Sequence, residues 1–122
     1  MVRAAFERAN ANDPEGLAAL CDESVEFSDV PEIPGSTTYR GRDGIRDWLR
    51  SVHDVSDDLE LQIWETEERG DAVMVETGAA MQGRASGAEV GWRFWTVWRV
   101  RDGPITYHHG YSLREDALAD LG

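Results

Sequence analysis

The chain of 122 residues contains no lysine: its 12 basic residues are all arginines, set against 24 acids for a net charge of -12. A surface of that sign repels phosphate backbones and anionic lipid, which disfavours a nucleic-acid or membrane-surface partner. Cysteine is nearly absent too, and the lone Cys21 leaves no internal disulfide to be formed. No apolar run approaches the ~20 residues that span a bilayer, and the N-terminus lacks the apolar stretch of a signal peptide. A soluble, cytoplasmic protein is expected. No repeat, linker or low-complexity segment interrupts the chain, so residues 1–122 are read as one domain. HExxH and clustered Cys/His spacings are missing, and His108 and His109, adjacent on a strand, point to opposite faces. Neither a metal nor any other cofactor is expected.

What the sequence does hold is concentrated late. Residues 91–111 carry three of the five tryptophans, two of the three histidines and two of the three tyrosines, divided by a turn at Arg101-Asp102-Gly103-Pro104. Aromatic and β-branched enrichment on both sides of such a turn predicts two long strands joined as a hairpin. Alternation puts Trp92, Phe94, Thr96 and Trp98 on one face of the first strand and Arg93, Trp95, Val97 and Arg99 on the other. On the second strand Thr106, His108, Gly110 and Ser112 oppose Ile105, Tyr107, His109 and Tyr111. The reading adopted sets Thr96 and His108 on the same concave side.

Upstream, Val2, Ala5, Phe6 and Ala9 repeat at helical spacing, and Asp13-Pro14-Glu15 reads as an N-cap, first-turn proline and dipole-complementing acid for a second helix ending near Cys21. A short strand at 25–27 leads into an irregular stretch, 28–39, where Pro31 and Pro34 preclude helix and central strand. Ile45, Trp48, Leu49 and Val52 predict a third helix over 42–53. Strands follow at 59–64 and 72–81, joined by a charged loop over 65–71, and 82–88 turns into the hairpin. Ser112-Leu113-Arg114-Glu115 fits a capping box, opening a last helix that packs Leu113, Ala117, Leu118 and Leu121. Helices first and strands after give an α+β layer fold, with helices on one face of a curved antiparallel sheet that leaves a cone-shaped space.

Read in order, V-R-A-A-F-E-R-A-N-A-N-D-P-E-G-L, then Y-R-G-R-D-G-I-R-D-W-L, then V-W-R-V-R-D-G-P-I and L-R-E-D-A-L-A-D-L-G resemble the two-helix entry, third helix, final hairpin and closing helix of the SnoaL-like branch of the nuclear transport factor 2-like superfamily. The resemblance covers essentially the whole chain. It implies a cone-shaped fold with the sheet wrapped around N-terminal helices, an apolar pocket, and frequent dimerisation through the outer sheet face. It also implies a range of roles from isomerase, cyclase, hydrolase and dehydratase to noncatalytic binding. In members resembling ketosteroid isomerase, a carboxylate after the first strand shuttles a proton. Asp29 is nearest that position here, with Glu26 second. Thr96 stands where such members place an oxyanion-binding acid, and Phe6 is the nearest aromatic to their helix-one tyrosine; those departures argue against steroid isomerisation.

The residues suggest further site candidates. Glu76, Thr96 and His108 meet on the inner sheet face if Glu76 points inward, and the carboxylate would then raise the imidazole pKa and fix its tautomer for acid/base chemistry. The alternation equally allows Glu76 to pair with Arg93 or Arg99 on the other face. Trp48, Trp92, Phe94 and Trp98 suit the wall of a pocket for a small, flat, apolar ligand, or simply the core. Tyr39, at the end of the irregular stretch, either gates the pocket mouth or caps the third helix. Arg93, Trp95, Arg99, Tyr107, His109 and Tyr111 make an aromatic and arginine surface of interface composition, so a homodimer through the outer face is expected. The leading expectation is small-molecule binding with cofactor-independent acid/base chemistry by Asp29, Glu76 and His108; the alternative is a noncatalytic ligand-binding or dimerisation module.

Overall fold

Strand register sets the shape of the chain in its computed structural model, which describes residues 1–31, 37–55, 58–82 and 89–122. The strands β1 (Cys21–Ser28), β2 (Thr38–Arg40), β3 (Glu60–Arg69), β4 (Ala72–Gln82), β5 (Glu89–Val100) and β6 (Ile105–Tyr111) form one curved six-stranded sheet in the order β2-β1-β6-β5-β4-β3. Helices α1 (Val2–Asn10), α2 (Pro14–Ala19) and α3 (Gly41–Val55) pack on its concave face, and α4 (Arg114–Leu121) lies on the convex one. This is the α+β cone that the sequence predicts. No helix among the described residues is long and apolar enough to cross a membrane.

The concave core joins Ala5, Phe6 and Ala9 of α1, Leu17 of α2, and Ile45, Trp48 and Leu49 of α3 to Val25, Phe27, Val75, Trp98 and Ile105 of the sheet. The helix stripes are those that the 3.6-residue spacing marks. Asp13 caps α2 as expected, its Oδ1 accepting from Gly16 N at 2.9 Å. The helix stops at Ala19, however, and Cys21 opens β1 rather than closing α2. Ile105 N donates to Leu20 O at 2.9 Å, which draws the chain into the sheet one turn early. Asp22, Glu23 and Ser24 have no apolar alternation to announce this, because a register shift separates the Cys21 and Glu26 pairings.

Other boundaries move for similar reasons. The irregular stretch contains β2, which pairs antiparallel with β1 (Phe27↔Tyr39). Its residues 32–36 lie outside the described ones, as do 56–57 of the polar turn and 83–88 of the turn before β5. The charged loop at 65–71 is mostly strand: β3 continues to Arg69 and turns only at Gly70-Asp71. As an edge strand it carries Glu65, Glu67, Glu68 and Arg69 without penalty, and charge of that kind discourages edge-to-edge pairing. The last helix begins at Arg114 with Leu113 at its N-cap and no side-chain capping bond, so the S-x-x-E spacing places the cap one residue early. Ala117 and Leu121 reach the sheet, whereas Leu113 is 52% exposed, contrary to the packing expected of it.

Two features of β6 govern the site. First, it lies parallel to β1, with Phe27↔His108 and Ser28↔His109 in register, and is the sole parallel pairing among the described strands. Second, Arg99 pairs with Tyr107 and Val100 with Ile105, so Thr106 is an extra, bulged residue. The bulge returns Ile105 to the concave core, although simple alternation would group it with Tyr107 and His109 on the convex side.

Candidate functional site

A cavity of about 610 Å³ opens between the concave face and the helices. Its wall is mainly apolar. Phe6, Trp48, Trp92, Phe94 and Trp98 all line it, so the tryptophans and Phe94 singled out from the sequence border an open space rather than filling the cone. Trp98 is fixed by ring contacts to Phe6 at 5.6 Å and, edge-on, to Phe27 at 5.5 Å, whereas Trp92 is 47% exposed.

Asp29 follows directly on β1 and lines the cavity. The parallel register that sets Ser28 beside His109 brings it next to Gly110. There the chain comes so close that a β-carbon on Gly110 would stand 3.0 Å from Val30 N and 3.4 Å from the Asp29 carbonyl carbon. A larger residue there would have to push the Asp29–Val30 backbone aside by a few tenths of an ångström, which glycine avoids. Asp29 Oδ1 accepts from Trp48 Nε1 at 2.7 Å. Burial lifts the Asp29 pKa, opposed by the Trp48 hydrogen bond and by His109.

His108 points inward from β6 and is 5% exposed, packed against Phe27 at 4.7 Å, Trp98 at 4.5 Å and Trp48 at 5.8 Å between ring centroids. Among the described residues no carboxylate is hydrogen-bonded to its Nδ1. Its pKa is therefore pushed down to about 3, by burial first and by neighbouring His109 second, the opposite of the rise expected from a Glu76 partner. At neutral pH the ring is uncharged. Its Nδ1 is the one sealed side-chain nitrogen or oxygen without a partner among the described residues.

Glu76 does not join this group. In β4 Val75 and Thr77 face the core and cavity, so Glu76 projects to the convex side, paired in register with Trp95 and 3.7 Å from Arg93. The expected inner-face trio is thus reduced to Thr96 and His108, and the outer-face ion pair with Arg93 is the arrangement formed. Sequence alternation defined both faces of β4 but could not say which one the helices cover.

Thr96 is 2% exposed and sits in a chain of ordered hydrogen bonds. Trp98 Nε1 donates to its Oγ1 at 2.8 Å, Thr77 Oγ1 lies 3.2 Å away, and Thr77 Oγ1 in turn donates to Val75 O at 3.2 Å. Tyr39 lines the cavity from β2 and donates to Ser51 Oγ at 3.4 Å, while Ser51 Oγ donates to Trp48 O at 2.7 Å. Thr77, Ser51 and Gly110 escaped the sequence reading. A lone threonine among Val73, Val75 and Ala79 was the available signal for the first; Ser51, one turn beyond Trp48 on the same helix stripe, was the signal for the second.

On the convex face α4 closes over part of the aromatic and arginine surface. Asp120 Oδ2 accepts from Tyr107 and Tyr111 hydroxyls at 2.6 and 2.9 Å, and its Oδ1 from Arg99 at 3.2 Å. Those bonds hold the Asp120 carboxyl below its usual pKa despite burial, and burial together with Asp120 pushes Tyr111 up to about 12. His109 stacks on Tyr111 at 4.4 Å. Beyond the helix, Arg93 lies 5.3 Å over the Trp95 ring, and Trp64, 49% exposed, covers Gly78 so closely that no β-carbon fits there.

The same architecture recurs in solved structures. A protein of ketosteroid isomerase-like fold from Catenulispora acidiphila, in complex with trimethylamine, matches with a TM-score of 0.79 and 21% identity over 99% of this chain and 91% of its own. A Mycobacterium tuberculosis protein in complex with estradiol-17beta-hemisuccinate matches with a TM-score of 0.75 and 19% identity, over 93% and 92%. A polyketide cyclase assigned by similarity in Sinorhizobium meliloti matches at 0.69 and 19%, over 89% and 91%. No curated protein matches in sequence. At these identities the structures share the fold, and it is the sequence itself that fixes the family: the SnoaL-like domain model matches residues 2–108, and the chain belongs to that family.

Proposed function

We propose that the protein binds a small, flat, largely apolar molecule of polyketide or steroid type in the cone, and that Asp29 exchanges a proton with it without a cofactor. The observation that carries this reading is a carboxylate that accepts an indole hydrogen bond at the wall of an apolar cavity of about 610 Å³. Small-molecule pockets fall in that size range and combine apolar walls with few polar groups. A carboxylate whose proton affinity is raised by burial suits a general base. The estradiol-derivative complex and the cyclase relationship among the structural neighbours agree with the ligand class. Trp48, Trp92, Phe94 and Trp98 supply the wall, Tyr39 and Thr96 its polar contacts.

A second reading, noncatalytic binding, draws on the isolation of His108: a neutral imidazole with no carboxylate partner leaves Asp29 without a companion acid. One experiment separates the two. The fluorescence of the wall tryptophans is titrated with a panel of steroids and polycyclic phenols, and each binder is then followed by NMR for solvent proton exchange or product. Catalysis requires turnover that Asp29→Asn abolishes while binding survives. Binding without turnover supports the second reading, and no binding across the panel overturns both.

We also infer that two copies associate through the part of the convex face that α4 leaves open. Trp64, Trp95 and the Arg93–Glu76 pair give it the aromatic and arginine content of an interface core.

A further inference from the structure

The polar groups around Trp48 and Trp98 on the cavity wall are not neutral as to what they bind, because among the described residues their protons already have acceptors. Trp98 donates to Thr96 and Thr77 donates to Val75 O, so the Thr96–Thr77 contact at 3.2 Å is satisfied in one direction, Thr96 donating. Ser51 is committed to Trp48 O and Trp48 to Asp29. Arg93 is engaged with Glu76 on the convex face. Left over are lone pairs: the second oxygen of Asp29 and one site on Thr96.

His108 supplies the exception. Its Nδ1 is sealed without a partner among the described residues, and the ring lines the cavity, so by elimination Nε2 is taken as the nitrogen that faces it. A buried lone pair goes unpaired more readily than a buried N–H, so the single proton of the neutral ring resides on Nε2. On the wall, then, a donor, His108 Nε2–H, stands with a strong acceptor, Asp29. Both flank the same indole: Asp29 is bonded to Trp48 at 2.7 Å, and the His108 ring lies 5.8 Å from it.

We infer that the cavity selects its ligand through a hydroxyl group on a flat apolar body, a phenol or alcohol, in preference to a ketone or an ether. This rests on the small-molecule reading above. A hydroxyl donates to Asp29 and accepts from His108 with a single oxygen. A carbonyl or ether oxygen satisfies His108 alone and sets its own lone pairs against the carboxylate, where a donor is wanted.

The test compares three ligands of one shape on the wild-type protein at neutral pH: β-naphthol, its methyl ether and β-acetonaphthone, by calorimetry. The naphthol is expected to bind about tenfold more tightly than the other two, the advantage of a hydrogen bond to a charged group. Asp29→Asn keeps the oxygen that Trp48 needs and turns an amide N–H₂ toward the cavity, so the preference is expected to reverse toward the ketone. Equal affinities for all three, or a ketone that binds most tightly to the wild type, overturn the inference and leave the ligand-binding reading intact. Binding of none overturns both.

Discussion

Trp48 Nε1–H donates to Oδ1 of Asp29 at 2.7 Å, so the indole that walls the cavity also holds the acid that faces it. That bond favours the ionised carboxylate, against the burial that disfavours it. Trp48→Phe keeps the ring and removes the donor, and should raise the Asp29 pKa further. Carboxyl-carbon NMR titration of the two proteins reads this directly. An unchanged midpoint would mean that the bond contributes nothing to the ionisation of Asp29.

Asp29 itself should cost the fold stability at neutral pH. Its folded pKa lies above the ordinary 3.8, so the native state holds this proton more tightly than the unfolded chain. Stability then falls as pH rises past the unfolded value and through the folded one. Asp29→Asn removes the effect and is expected to stabilise by about 1 kcal/mol at neutral pH, as substitutions at functional residues often do. In acid, where the carboxyl is protonated in both states, the gain should vanish. Thermal melts across the pH range show whether it does.

His108 works in the opposite sense. With a folded pKa near 3 against 6.5 for a free imidazole, the unfolded chain binds a proton that the native protein refuses. Stability is unaffected above 6.5 and declines as pH falls from there toward about 3, with a limiting slope of ~1.4 kcal/mol per pH unit. His108→Leu should flatten this acid limb. Urea denaturation at intervals of pH gives the slope, and a limb as steep in the variant as in the wild type would assign the acid sensitivity elsewhere.

The ordered hydroxyls make an asymmetric prediction. Thr96→Val leaves the buried Trp98 N–H without its acceptor and should destabilise by about 1–3 kcal/mol. Thr77→Val deprives only a hydroxyl, which can rotate, and should cost less. Denaturant midpoints rank the two. Equal losses would mean that the direction assigned to the chain is wrong.

Association through the open part of the convex face predicts a dimer by sedimentation velocity at micromolar concentration. Trp64→Glu, at a half-exposed position beside Gly78, should shift it to monomer without unfolding it. A monomeric wild type would refute the interface outright.

Much of this arrangement was legible in the sequence because alternation and helical spacing are local. The faces of β5, the stripes of α1 and α3, and the shared face of Trp98 with Thr96 follow from patterns a few residues long, whereas Asp29 was singled out by the family resemblance alone. What was not legible depended on partners far away in the chain. Glu76 could be assigned to a face but not to a side of the sheet, because only the register with Trp95 and the seat of α4 decide that. Ile105 changed sides through a one-residue bulge that no alternation reveals. The pKa of His108 depended on which groups are missing around it, and a carboxylate expected from β4 is on the far side of the sheet. Asp120 carries no sequence signal of its role, because the three side chains that converge on it come from β5 and β6.

The parallel pairing of β1 with β6 also has a bearing on how the molecule comes into being. Phe27 meets His108 across about two thirds of the length of the chain, so the strand that precedes Asp29 has no central neighbour until β6 has been synthesised. Contacts of such long separation slow folding, since loop closure must precede the gain from pairing. During synthesis α1, α2 and α3 must wait with their apolar stripes uncovered, a state exposed to aggregation. Asp29 and His108 are then brought together in one late event, the docking of β6, and a ribosome stalled before residue 105 would carry α1, α2 and α3 without the imidazole that lines their cavity.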